Sequence, residues 1–222
     1  MSVKKNLEYF NNKLKNTDCT LIAVTKTHAP ELIMEAYKAG CKIYGENKVQ
    51  ELVTKHEAMP KDIEWHMIGH LQSNKVKLIT PFIYLIHSVD STSLLKEINK
   101  QGQKAGRKIN CLLQIHIAAE ETKFGFSEKE AMALIDSNEF SGMTNISIIG
   151  LMGMATNTDD KEQIRKEFRG LKKIFERIKE DYHVQNLAMK ELSMGMSSDY
   201  DIAIEEGSTM IRVGSAIFGK RE

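Results

Sequence analysis

The feature that most constrains the fold is a regular alternation of short apolar runs and amphipathic segments. Eight apolar runs recur along the 222 residues, and each but the last is followed by a segment with helical spacing. Continuous apolar runs are typical of strands buried on both faces, as in a parallel sheet. The runs lie at 21–26, 41–44, 63–68, 83–89, 110–117, 146–154, 187–194 and 210–218. The pattern predicts an α/β fold.

Eight strand and helix units at this spacing favour closure into a single (β/α)8 TIM barrel. An open, doubly wound sheet is the alternative, but the Gly-x-Gly-x-x-Gly turn that it usually carries after the first strand is missing. We expect one domain over residues 1–222, because the spacing leaves no room for a second. An extra N-terminal helix is predicted from one apolar face made by Val3, Leu7, Phe10 and Leu14.

Charge and composition exclude several classes of partner. Lys and Arg number 31 against 30 Asp and Glu, so there is no global positive field to attract nucleic acid or an acidic membrane. No segment resembles a signal peptide or a membrane span. The scattered cysteines, Cys19, Cys41 and Cys111, indicate free thiols in a reducing compartment. We therefore expect a cytoplasmic protein that binds neither nucleic acid nor membrane.

Lys26 ends the first apolar run, just before the break at Ala29 and Pro30. The carboxyl ends of parallel strands are where α/β folds place their active sites. Desolvation lowers the pKa of an ammonium group, and a neutral amine can attack an aldehyde to form a Schiff base. The alternative is that Lys26 simply extends its amine into solvent.

Two loops at the same predicted edge are rich in serine and glycine. The loop at 193–199 follows the seventh run, and Gly214 and Ser215 lie within the eighth. Barrels often bind phosphate between the loops after strands seven and eight, through backbone N–H groups. Helix capping by Ser197 or Ser198 would explain half of this pattern. The two loops together favour a phosphate site.

A lysine opposite a phosphate site suggests a phosphorylated aldehyde, of which pyridoxal 5′-phosphate (PLP) is the common one. Arg212 lies two residues before Gly214 and so on the same face of the strand. A guanidinium there can act as the partner of the pyridine nitrogen.

Five segments together carry a resemblance to a known family. They are AVTK at 23–26, YGENKVQE at 44–51, WHMIGHLQSNK at 65–75, LSMGMSSD at 192–199 and GSTMIRVGSAIFG at 207–219. In this order, over nearly the whole chain, they resemble the single-domain PLP homeostasis proteins, which are similar to the N-terminal barrel of alanine racemase. The resemblance implies that Lys26 is the PLP lysine and Arg212 the partner of the pyridine nitrogen. It also implies that Ser193, Ser197, Gly214 and Ser215 surround the phosphate, and that Asn47, His66 and Met194 line the cofactor.

Three functions fit these features. The first is a PLP-binding protein that holds the cofactor and delivers it, with apo forms of PLP enzymes as recipients, without turnover and with no catalytic residue. The second is a PLP-dependent amino-acid racemase, which needs an acid or base on each face of the substrate. Alanine racemase takes the second one from another domain, and this chain ends where that domain would begin. The third is a cofactor-free Schiff-base aldolase. We expect the first, as a monomer. No metal site is expected, because His66 and His70 flank a strand end and no third ligand is evident.

Overall fold

The eight predicted strands form a closed parallel barrel. A computed structural model describes residues 2–120 and 124–219. Each strand pairs with the next along the chain, and the eighth pairs with the first through the contact of Thr20 with Met210. The strands are β1 (Thr20–Val24), β2 (Ile43–Glu46), β3 (Glu64–Met67), β4 (Leu85–Val89), β5 (Ile109–Gln114), β6 (Ile146–Met152), β7 (Leu187–Ser193) and β8 (Met210–Val213).

Helices surround the barrel, as the amphipathic segments predict. They are α1 (Val3–Leu14), α2 (Pro30–Lys38), α3 (Val49–Ala58), α4 (Val76–Ile79), α5 (Thr92–Ala105), α6 (Glu128–Ile135), α7 (Asn138–Ser141), α8 (Lys161–Asp181), α9 (Tyr200–Glu205) and α10 (Ser215–Phe218), with a 3-10 turn at Ser73–Lys75 before α4. The predicted N-terminal helix is confirmed as α1, and the four apolar residues that predicted it are buried. The expected (β/α)8 fold is thus confirmed.

Several predicted strand ends differ from the structure by a few residues, and two of these differences change how the carboxyl edge of the barrel is built. The eighth strand stops at Val213, and the apolar residues after Gly214 form α10, whose Ile217 carbonyl accepts a hydrogen bond from Asn6 over 2.8 Å. Strand β2 ends at Glu46, two residues beyond the predicted run at 41–44. A short apolar run does not distinguish a strand from one helical turn, because both can bury it.

The barrel interior is layered. A small apolar cluster made only by strand residues includes Ile22, Leu85, Leu112, Met152 and Met210. Side chains two residues further along a strand lie on the same face, one layer closer to the carboxyl ends. That next layer contains Val24, His87, Gln114, Met154 and Arg212. The apolar cluster, which we call the apolar plug, therefore lies beneath this layer, and three of the five residues named in the layer are polar.

The three cysteines are free thiols, as expected from the sequence. Cys19, Cys41 and Cys111 are free, and burial raises the pKa of each thiol. Across residues 2–120 and 124–219, no helix combines the length and the apolar character that crossing a membrane requires.

Candidate functional site

A cavity of about 500 Å³ opens at the carboxyl ends of the strands. This volume lies within the range of small-molecule binding sites. Its described lining residues come from the ends or following loops of seven strands. They are Val24, Lys26, Asn47, Ile68, Gly69, His70, Gln114, Phe124, Met154, Met196, Ser197, Ser198, Arg212, Gly214 and Ser215. The closed barrel therefore brings distant segments of the sequence together at one pocket.

Lys26 lies in a turn two residues beyond the end of β1 and is half-buried. The next residue, Thr27, has φ +68°, a left-handed conformation that costs a residue with a Cβ about 1–2 kcal/mol. The backbone N–H of Thr27 donates to Glu51 Oε1 over 2.5 Å. This bond holds the strained turn and so directs the lysine away from the continuing strand.

Glu51 belongs to an ion cluster, which we define as Glu46, Glu51 and Lys55. This cluster also binds the residue that precedes Lys26. Lys55 Nζ lies 2.7 Å from Glu46 Oε1 and 2.6 Å from Glu51 Oε1. It also donates to the carbonyl of Thr25 over 2.6 Å, and the Thr25 hydroxyl donates to Glu46. Both neighbours of Lys26 in the chain are therefore bound to the ion cluster.

Arg212 is almost completely buried, yet it lines the cavity. One guanidinium nitrogen donates to Ser193 Oγ over 2.6 Å and another to the carbonyl of Gly153 over 3.1 Å. Burial lowers its pKa to about 10, so the group still carries its charge at neutral pH. A guanidinium has five N–H donors, and those not used by Ser193 and Gly153 remain for a ligand.

A hydrogen-bonded chain, the core polar chain, runs inward from Arg212 through Ser193 and His87 to His66. Ser193 Oγ lies 2.9 Å from His87 Nδ1, and His87 Nε2 lies 2.9 Å from His66 Nδ1. Because the arginine can only donate, the Ser193 hydroxyl proton is available for His87, and His87 can donate in turn to His66. His66 Nε2 then carries the last proton, and it has no hydrogen-bond partner in the described chain.

Both histidines of the core polar chain are neutral at physiological pH. Burial lowers the pKa of His66 to about 3. The pKa of His87 lies well below its usual range because of burial and, to a smaller extent, the nearby His66 and Arg212. Neutral side chains therefore lie behind the charge of Arg212, and the nearby Asp199 acts against burial by raising the pKa of the guanidinium.

Hydroxyl and glycine residues form one edge of the cavity, the serine edge, which comprises Ser197, Ser198, Gly214 and Ser215. The loop bearing the first two turns at Gly195, whose φ of +96° and close contact with Ala203 exclude a side chain. Asp199 accepts a hydrogen bond from the Met196 backbone N–H over 2.6 Å and so closes the loop. The serine edge presents neutral donors, which suit an anion.

The structure brings together six of the nine predicted site residues and separates three. Lys26, Asn47, Ser197, Arg212, Gly214 and Ser215 line the cavity. His66, Ser193 and Met194 are buried and are not among the lining residues. The first two lie behind Arg212 in the core polar chain, and the Met194 carbonyl accepts a bond from Ser208 Oγ over 2.8 Å.

Sequence reasoning missed several lining residues. Gln114 follows Leu112 of the apolar plug by two positions, so strand alternation could have found it. The pairing of His70 with Asp90 leaves no signal in the sequence, because the two residues follow different strands. The described residues contain no group of three His, Cys, Asp or Glu side chains that could hold a metal ion.

Comparison with known proteins identifies one family, and the match extends along the whole chain. The sequence model described as "Alanine racemase, N-terminal domain" matches residues 1–222. The pyridoxal phosphate homeostasis protein of Aquifex aeolicus is 39% identical over 203 residues, which cover 91% of this chain and 87% of the relative. That of Vibrio alginolyticus is 35% identical, covering 100% and 98%. The chain belongs to the pyridoxal phosphate homeostasis protein family.

Solved structures agree with this family. PipY of Synechococcus elongatus PCC7942 in its PLP-bound form is 32% identical, has a TM-score of 0.87, and is matched over 98% of this chain and 100% of its own. An alanine racemase of Clostridium difficile has a TM-score of 0.82 at 16% identity, with 57% of that chain covered, and shows the shared fold alone. The resemblance to pyridoxal phosphate homeostasis proteins is thereby confirmed.

Proposed function

We propose that this protein binds PLP covalently through Lys26, and that it holds and delivers the cofactor in the cell. The observation that carries the proposal is the placement of Lys26, Arg212 and the serine edge on the wall of one cavity. Membership of the family, and the PLP-bound form of PipY, support it.

The chemistry of the donor set fits PLP at each of its functional groups. A primary amine suits the aldehyde, with which it forms an imine. A buried guanidinium suits the pyridine nitrogen, because it donates hydrogen bonds and never accepts them. The hydroxyls and backbone N–H groups of the serine edge suit the phosphate. When bound, PLP would supply a carbonyl carbon that reacts reversibly with amines.

The chain's own residues fix the position of each contact. The ion cluster holds the turn that bears Lys26, as described above. Ser193 and the Gly153 carbonyl hold the guanidinium plane of Arg212, so that its remaining donors keep one direction. We propose that Ser193 and His66 act through Arg212 rather than by touching the cofactor, because neither lines the cavity.

We propose further that the protein does not turn over amino acids. Arg212 keeps its proton, so it offers none to the pyridine nitrogen, and the ring becomes a weaker electron sink. No tyrosine or carboxylate is among the described lining residues. Racemisation would need a second acid or base at the substrate α-carbon.

The cellular compartment is inferred from the cysteines. The free thiols support a reducing compartment such as the cytoplasm. We propose apo forms of PLP enzymes as recipients, and a monomer as the active form. Mixing the loaded protein with an apo PLP enzyme tests delivery, through recovery of that enzyme's activity without added PLP.

The binding proposal is tested by trapping the covalent link. Borohydride reduction of the PLP-treated protein should leave one phosphopyridoxyl group, and mass spectrometry should find it on the peptide containing Lys26. The Lys26→Ala variant should carry none. Lys38→Ala, a change at an exposed position of α2, should be labelled as the wild type is. A label on another lysine, or none in the wild type, contradicts the assignment.

A further inference from the structure

His70 stands at the mouth of the cavity in a fixed orientation. Its Nδ1 lies 2.9 Å from Asp90 Oδ2, and its ring stacks on Phe124 with centroids 4.4 Å apart. The Asp90 side chain is 8% exposed and that of His70 is 45% exposed. Gln114 Nε2 donates to the Phe124 carbonyl over 2.9 Å, which anchors the aromatic ring that His70 contacts. Two contacts therefore position this imidazole, and one of its partners is itself held by Gln114.

The pairing with Asp90 determines which ring nitrogen of His70 can accept a proton. An ionised carboxylate can only accept, so Nδ1 carries the proton of the bond to Asp90. In the neutral ring Nε2 then has a lone pair. The same arrangement of carboxylate and imidazole prepares a histidine for proton transfer in many enzymes.

Among the described lining residues, His70 is the single group suited both to accept and to return protons. The others that ionise are Lys26 and Arg212. Lys26 is the amine that reacts under the proposed function, and the arginine stays protonated. Serine hydroxyls are poor bases without a partner to activate them. Any reaction in this cavity that moves protons between nitrogens therefore depends on His70 or on water.

We propose that His70, oriented by Asp90, is an acid–base residue that catalyses the exchange of PLP from Lys26 to an incoming primary amine. This inference rests on the proposed function. In the exchange, the C=N bond to Lys26 breaks and a C=N bond to the incoming nitrogen forms. Two protons leave the incoming nitrogen and two reach the Lys26 nitrogen, which departs as an amine. Nothing is oxidised or reduced, and Nε2 of His70 takes up and returns the protons.

The first test measures the release of PLP from Lys26 to methoxyamine, an amine that is uncharged at neutral pH. The loss of the Lys26 imine absorbance is followed in the wild type and in His70→Gln. General acid–base catalysis contributes about 100-fold or more, so we expect release to slow by roughly that factor. The release rate is normalised to the amount of PLP bound before methoxyamine is added. Asp90→Asn should also slow release, because an amide no longer orients the ring as a carboxylate does.

A matched control and a rescue separate proton transfer from packing. His56 also stacks on a phenylalanine, with its centroid 3.7 Å from that of Phe82, but it lies on α3 outside the cavity. His56→Gln should release PLP at the wild-type rate. In His70→Ala, added imidazole should restore the rate in proportion to its concentration. Release that is slow but not rescued would show that His70 acts by shape, and release at the wild-type rate in both His70 variants would also overturn the inference.

A second readout does not need the cofactor. In the ¹⁵N-labelled, PLP-free protein, the neutral His70 ring should carry its proton on Nδ1, and Asp90→Asn should shift the population toward Nε2. A ring protonated mainly on Nε2 contradicts the geometry on which the inference rests. If the wild type forms no adduct at Lys26, the proposed function fails. If the adduct forms and His70 variants exchange normally, only the role of His70 fails.

Discussion

Lys55 and Glu46 form an ion pair with 2.7 Å between Nζ and Oε1, and their side chains are only 5% and 0% exposed. The pair lies outside the cavity, yet both of its members bind Thr25, the residue before Lys26. Lys55 donates to the Thr25 carbonyl, and Glu46 accepts from the Thr25 hydroxyl. Burial raises the pKa of the Glu46 carboxyl, while the charge of Lys55 acts in the opposite direction. The lysine that we propose binds PLP is thus held in place by a second lysine outside the cavity.

Removal of Lys55 should therefore destabilise the fold. Lys55→Met leaves the Glu46 carboxylate buried without its partner, and we expect a loss of about 3–5 kcal/mol in the free energy of unfolding. Urea denaturation measures it. The matched control is Lys42→Met, which removes a 2.6 Å ion pair with Asp62 whose side chains are about half exposed. That change should cost less than about 1 kcal/mol. Similar losses in the two variants would show that the ion cluster has no special role.

The buried histidines predict a loss of stability in acid. The folded state holds the pKa of His66 at about 3 against an ordinary 6.5, so the unfolded chain binds more protons between these values. The contribution of His66 to the free energy of unfolding is therefore fully present above about pH 6.5 and decreases as the pH drops toward 3. The decrease is at most about 1.4 kcal/mol per pH unit for each such histidine. His87 acts in the same direction.

Histidine variants separate the contribution of the buried histidines to acid instability from that of the carboxylates. His87→Asn keeps a side chain that can accept at one end and donate at the other, but it does not titrate. Its stability, measured by denaturation from pH 7 to 4, should depend less steeply on pH than that of the wild type. His183→Gln, at an exposed position, should leave the slope unchanged. An equal slope in all three proteins contradicts the prediction.

The serine edge predicts selectivity for the phosphorylated cofactor. Hydrogen bonds to a charged group contribute about 1.5–3 kcal/mol each, so Ser197→Ala combined with Ser215→Ala should weaken PLP binding by at least about tenfold. Unphosphorylated pyridoxal should lose much less. Equilibrium titrations with both ligands give the comparison, and Ser93→Ala with Ser141→Ala, both exposed, serves as the control. Equal losses for PLP and pyridoxal would place the phosphate elsewhere.

The absence of turnover can be measured directly. The PLP-loaded protein is incubated with single L-amino acids in deuterium oxide, and deuterium at the α-carbon is followed together with chirality. We expect imine exchange without α-deuteration above the rate given by free PLP, because Arg212 supplies no proton to the pyridine nitrogen. The Lys26→Ala variant provides the reference. Rapid deuteration that depends on Lys26 and is accompanied by racemisation would favour the racemase alternative.

The alternation of apolar runs and helical segments was enough to predict the barrel, because a strand covered on both faces must be apolar throughout. It also placed Lys26, Asn47, Arg212 and Gly214 at one edge, since the carboxyl ends of parallel strands meet there. The five matching segments added the family. Local sequence therefore determined the fold class and the residues closest to the proposed chemistry.

Only the tertiary structure decided what lies behind and across from those residues. Ser193 and His66 turn inward to form the core polar chain, and His70 pairs with Asp90, a residue 20 positions away. Lys55 meets Glu46 because α3 packs over β2. Each of these contacts joins side chains from different elements, and the free energy that selects them comes from burial and from hydrogen bonds across the closed barrel. No local pattern encodes such partners, because alternation gives the face of a strand but not the neighbour that it meets.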